Sequence, residues 1–194
     1  MYKRQVGTLF TGANFTVDRL NLANGAGSGS ATVISQWTTP WHGLEALGDM
    51  RNVALGLAVM FLAGMLACQY FMNNIADETL FARARRRMLT LATPFLVFFL
   101  TFFVWLLFSD GLAVDAAGRI SAEPYKYLHN MLEMPYVAAA LLIGVVSVLW
   151  SIYSGWRGTR NAVWFGGAGT VLTVLALLLC AGWNNTAYLS LIHI

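Results

Sequence analysis

Histidine is the side chain best suited to proton transfer near neutrality and to metal or haem ligation, and the chain has three: His42, His129 and His193. His42 stands three residues before Glu45, a pair that could serve acid–base chemistry from a loop. His129 lies in Glu123-Pro124-Tyr125-Lys126-Tyr127-Leu128-His129-Asn130-Met131-Leu132-Glu133-Met134-Pro135, among aromatic and charged residues. A haem ligand more naturally projects from a helix into a bundle, so interfacial hydrogen bonding is the better reading of both. Cys68 and Cys180 fall inside apolar runs far apart in sequence and read as small buried hydrophobes, not as a disulfide or metal pair. Met60, Met65 and Met72 read as packing or lipid-facing residues in preference to axial ligands. The run Arg83, Arg85, Arg86, Arg87 would suggest nucleic acid in a soluble protein. Here it lies between two apolar stretches and reads as a loop at the membrane surface, with no nucleic acid implied.

The elements that carry these residues are set by hydropathy. Of 194 residues, 58% are hydrophobic and 11% charged, with a mean hydropathy of +0.61. Soluble domains carry about 25% charged residues, and a domain this small cannot hide such a surplus of apolar surface from water. Lipid must solvate it. Four spans are expected at about 52–72, 88–108, 136–154 and 163–183, the second entered by Thr93-Pro94. Each has the roughly 20 residues that a helix rising ~1.5 Å per residue needs to cross a ~30 Å core. Trp105, Trp150, Trp156, Trp164 and Trp183 cluster at the expected ends, as an aromatic belt does. The fold class is therefore all-α, a polytopic transmembrane helix bundle. Val6 to Phe10 adds the tail of an upstream span, and Thr11 to about Met50 reads as a polar loop with a short interfacial helix near Pro40–Leu47.

Density of positive charge orients the spans. The short arginine-bearing loops 73–87 and 155–162 are expected on the cytoplasmic side, the second holding Arg157 and Arg160. Arg19, Arg51, Arg119 and Lys126 are spread over two longer, external segments. No Asp, Glu, Lys, Arg or His lies well inside a span, whereas ion and proton pathways usually need such residues near mid-membrane. The segment reads as scaffold. Small residues Gly56, Ala63, Gly64 and Ala67 on the first span, and Gly166, Gly169 and Thr173 on the fourth, mark expected helix contacts. Tyr125, Leu128 and Leu132 have the spacing of an amphipathic helix bracketed by prolines, suited to the membrane surface or a partner. Asn73-Asn74-Ile75-Ala76-Asp77-Glu78 reads as a helix cap. The Asn-x-Thr sequons at Asn14 and Asn185 are of a kind frequent by chance.

Both ends are expected to be foreign. Leu189-Ser190-Leu191-Ile192-His193-Ile194 can be encoded by CTG TCT CTT ATA CAC ATC, whose reverse complement contains GTG TAT AAG AGA CAG. That string encodes Met1-Tyr2-Lys3-Arg4-Gln5 when GTG is the start codon, and it resembles a transposon end used in sequencing libraries. Residues 1–5 and 189–194 are accordingly expected to be adapter-derived, with one transmembrane domain over residues 6–188.

Six segments, in order, carry a family resemblance: Phe10-Thr11-Gly12-Ala13-Asn14-Phe15, Trp41-His42-Gly43-Leu44-Glu45-Ala46, Asn73 to Glu78, Glu123 to Leu128, Leu132-Glu133-Met134-Pro135, and Gly182-Trp183-Asn184-Asn185-Thr186-Ala187-Tyr188. Together they resemble the middle and later part of subunit II of the cytochrome bd-type quinol oxidases, over nearly all of residues 6–188. The resemblance implies a heterodimer in the bacterial plasma membrane that oxidises quinol, reduces oxygen to water and generates proton-motive force. It places haem b, haem d and the quinol site in subunit I, the partner, with subunit II as a non-haem support in contact with membrane lipid. The family's acidic proton-path residues lie on opening helices absent from this segment, as is the closing helix. No catalytic, cofactor-binding or metal residue is therefore assigned here. The alternative is a fragment of a polytopic transporter or permease, which calls for broken helices or buried polar groups between spans. A third possibility is a membrane enzyme with its site in the external loops around His42 and Glu45.

Overall fold

A computed structural model of the chain describes residues 15–17, 35–37, 40–41, 44–114 and 120–186. The expected adapter ends, the upstream tail Val6–Phe10, Asn14 and His42 lie outside the described residues, as does the side chain of Glu45.

The chain divides into two compact units, residues 1–56 and 57–194. In the first, strands β1 (Phe15–Val17) and β2 (Ser35–Trp37) pair antiparallel, with Phe15 opposite Trp37. The stretch expected to be a loop thus carries a short ladder. A 3-10 turn follows at Leu44–Gly48, overlapping the stretch Pro40–Leu47 where a short helix is expected. Asp49 then accepts from the backbone N–H and guanidinium of Arg51 at 2.9 and 2.8 Å. Chiefly through the side-chain bond, Arg51 holds the Asp49 carboxyl below its ordinary range.

Four helices are long and apolar enough to cross a membrane: α1 (Met50–Asn74), α2 (Glu78–Leu107), α4 (Pro135–Trp156) and α5 (Ala162–Gly182). Between α2 and α4 come strands β3 (Gly111–Val114) and β4 (Ile120–Glu123), paired antiparallel, and the short helix α3 (Lys126–Glu133). The hairpin replaces part of an expected loop.

The helix boundaries correct one expectation. Residues 73–87 are not a loop, because only 75–77 lie outside the helices. Asp77 starts α2 by accepting from the N–H groups of Thr79 and Leu80, both at 2.8 Å, and Glu78 places negative charge in the first turn. Ala, Leu and Arg are good helix formers, so the arginine run continues the helix. Pro94 does not begin the span but sits inside it, a position tolerated in membrane helices.

Packing in the second unit follows from small residues, because lipid supplies no hydrophobic drive between helices. α4 and α5 form the tightest pair. A Cβ added at Gly144 would lie 2.5 Å from Thr173 Oγ1 and 2.8 Å from its backbone nitrogen, and one at Gly169 would lie 2.8 Å from the Gly144 carbonyl oxygen. Gly166, Gly169 and Thr173 are buried, as their spacing predicted. The corresponding stripe on the first span is mostly exposed: Gly56, Ala63 and Ala67 face outward, and of its two glycines only Gly64 would bring an added Cβ near a neighbour, Leu91. The inner face of α1 is made instead by Ala58, Met65 and Met72, which pack with Met88, Ala92 and Phe95 of α2 and Val148 of α4. Met60 points outward.

Candidate functional site: polar clusters at the two ends of a helix bundle

The helices alternate in direction. The C-terminus of α1, the N-terminus of α2 and the α4–α5 connection share one end, as Arg160 shows by donating to the Ile75 carbonyl at 3.2 Å and to Glu78 Oε1 at 3.3 Å. The hairpin and α3 lie at the other.

The hairpin end is built inward. Gly111, where a Cβ would stand 2.7 Å from Lys126 Cβ, lets β3 meet α3 at close range. Tyr125 precedes α3 in the left-handed region (φ 55) and sets its ring edge-on against Phe108, centroids 6.0 Å apart. That conformation is uncommon for a bulky residue; here it turns the chain so that Lys126 and Tyr127 face inward, and both are buried. Lys126 Nζ reaches Glu123 Oε2 at 2.9 Å, and His129 Nδ1 lies 3.0 Å from Glu123 Oε1. These two bonds, His129's first, hold the Glu123 carboxyl below the ordinary glutamate range.

Asn130 is the hub of this end and is fully buried. Its Nδ2 donates to the Cys180 carbonyl and to Thr186 Oγ1, both at 2.9 Å, while Oδ1 accepts from Asn184 at 3.3 Å. Asn184 also donates to Glu133. Thr186 in turn donates to the Trp183 carbonyl at 2.7 Å, and Cys180 Sγ to that of Tyr127 at 3.4 Å. The Val114 N–H donates to the Asn185 carbonyl at 2.7 Å and ties the hairpin to the same segment. Three of the six segments that carry the resemblance, Glu123–Leu128, Leu132–Pro135 and Gly182–Thr186, thus meet in one network.

Toward the arginine end the bundle holds a second, smaller cluster that sequence reasoning missed. Gln69 and Ser151 are fully buried and bonded both ways, Gln69 Nε2 to Ser151 Oγ at 2.8 Å and Ser151 Oγ to Gln69 Oε1 at 3.1 Å. Gly166 of α5 closes over them, where a Cβ would stand 2.7 Å from both oxygens. An amide within one apolar span and a serine within another were the available signal. Outside this cluster, Arg85 donates to the Trp156 carbonyl, and Arg160 stacks over Phe81 at 5.2 Å.

His129 is exposed and engaged with Glu123, while Met65, Met72 and Met88 are packed in the apolar core, the Met88 sulfur taking a 3.6 Å bond from Gln69. Among the described residues, no group of three or more His, Cys, Asp or Glu is placed to hold a metal.

Four apolar crossings joined by polar ends define a multi-pass membrane helix bundle. Residues 5–193 match the family described as cytochrome bd terminal oxidase subunit II, and the chain belongs to that family. No curated protein matches it.

Proposed function

We propose that this chain is part of the non-haem subunit of a quinol:oxygen oxidoreductase. In this reading it supports a haem-bearing partner that oxidises quinol, reduces oxygen to water and contributes to proton-motive force. The observation that carries the reading is how the polar groups inside the bundle are used. Gln69, Ser151, Asn130 and Thr186 are neutral and bonded to one another or to backbone across helices. Such bonds fix helix register across the bundle, the role expected of a support. Membership of the oxidase family supplies the activity to which such a scaffold belongs.

The same reading puts haem b and haem d in the partner subunit and the arginine-bearing end, including the α4–α5 connection, on the cytoplasmic side of the bacterial plasma membrane. Affinity purification of the full-length protein tests it. The expected result is co-purification of a second subunit with b- and d-type haem absorbance; isolation as a haem-free protein without a partner would overturn it.

A further inference from the structure

The arginines of α2 divide between two faces. Arg85 turns inward to the Trp156 carbonyl. Arg83, Arg86 and Arg87 are exposed on the face opposite the buried Met88, Ala92, Phe95, Phe102 and Leu106. Among the described residues none of these three joins an ion pair, and the nearby acids are committed elsewhere, Asp77 to the α2 cap and Glu78 to Arg160. Three guanidiniums without a counter-ion therefore share one helix face.

Below them that face is continuous and apolar. The spacing of three and four residues runs from Arg83, Arg86 and Arg87 through Thr90, Thr93, Val97, Leu100, Thr101 and Val104 to Phe108, all exposed. The threonine hydroxyls do not interrupt it. Thr90 donates to Arg86, Thr93 to Leu89 and Thr101 to Val97, each to a carbonyl of its own helix at 3.1, 3.3 and 2.8 Å. At its far end Leu100, Thr101, Val104, Trp105 and Phe108 line an open apolar groove. From Arg87 to Leu107 the helix rises about 30 Å, the thickness of a hydrocarbon core, which sets the guanidiniums at headgroup level.

We propose that Arg83, Arg86 and Arg87 hold the headgroup of an anionic phospholipid whose acyl chains lie along the outward face of α2. Charge complementarity selects the occupant. A phosphodiester accepts several charge-assisted hydrogen bonds from guanidinium, and basic clusters at the end of a membrane helix attract anionic lipid. The long apolar stripe below the charges fits acyl chains and gives a free phosphate nothing to contact.

The full-length protein, in its native complex, is reconstituted in phosphatidylcholine bilayers containing spin-labelled phosphatidylglycerol or spin-labelled phosphatidylcholine, and the motionally restricted fraction of each label is measured. A several-fold preference for phosphatidylglycerol is expected, falling to about one in the R83Q/R86Q/R87Q variant, whose glutamines keep helix propensity. The R83K/R86K/R87K variant should retain most of the preference. Equal preference in the wild type and the glutamine variant would overturn the assignment, as would absence of preference because a protein partner covers this face. Displacement of the label by millimolar inorganic phosphate would also overturn it, since that marks a free-anion site.

Discussion

The two ends of the bundle use polar residues in opposite ways. At the hairpin end they turn inward: Asn130 joins the ends of α3 and α5, and even the ammonium of Lys126 is buried against Glu123. At the arginine end the buried pair Gln69 and Ser151 is neutral and Arg85 and Arg160 bond to neighbouring elements, while Arg83, Arg86 and Arg87 face outward. In a membrane an unpaired polar group in the protein interior is costly, so inward polarity specifies structure. Outward charge at headgroup level costs little and sets position relative to the bilayer. One end is a joint and the other a surface.

The contrast predicts unequal responses to substitution. The largest belongs to Asn130→Leu, which removes the bonds to the Cys180 carbonyl, the Thr186 hydroxyl and the Asn184 amide inside the hairpin end. A loss of about 2–3 kcal/mol in unfolding measured in mild detergent is expected, and wild-type stability would break the comparison. Gly111→Ala should cost about 1–3 kcal/mol by driving β3 from Lys126. Gln69→Leu is expected to cost about 0.6 kcal/mol, with an upper bound near ~1.7, as interhelical hydrogen bonds in membranes do. The Q69L/S151A double variant should cost less than the sum of its singles, because both remove the same bond.

Acid should separate the ends further. Folding lowers the Glu123 carboxyl's pKa, so its bonds to His129 and Lys126 contribute fully above the ordinary glutamate pKa and are lost as pH falls through the lowered value. Amide-exchange protection of β4 and α3, corrected for intrinsic rates, should fall over that acidic window, and Glu123→Gln should flatten the response. The smallest effect belongs to R83Q/R86Q/R87Q, expected within about 0.5 kcal/mol of wild type. A large loss there would mean that the outward arginines hold the fold together after all.

Hydropathy made the four crossings legible, with bounds within a few residues for α4 and α5. It failed at the start of α2, because four arginines in five residues lower local hydropathy without lowering helix propensity. The hairpin was illegible for another reason. Gly111–Val114 and Ile120–Glu123 are four residues each, and part of what holds them is Asn185, distant in sequence. The segments around Glu123, Glu133 and Asn184 stood out singly, yet no local pattern says that residues some fifty positions apart will meet. The stripe on α1 misled because small residues also occur on outward faces. Gln69 was passed over because a neutral amide leaves no mark in a count of charges.

On the proposed reading this bundle supports chemistry carried out elsewhere. Oxygen consumption with quinol as donor, expressed per haem in complexes purified with Asn130→Leu in the full-length subunit, tests it most directly. A reduced yield of assembled complex is expected, with turnover per haem close to wild type. Normal assembly with turnover lost would contradict it and place the hairpin end in the reaction itself.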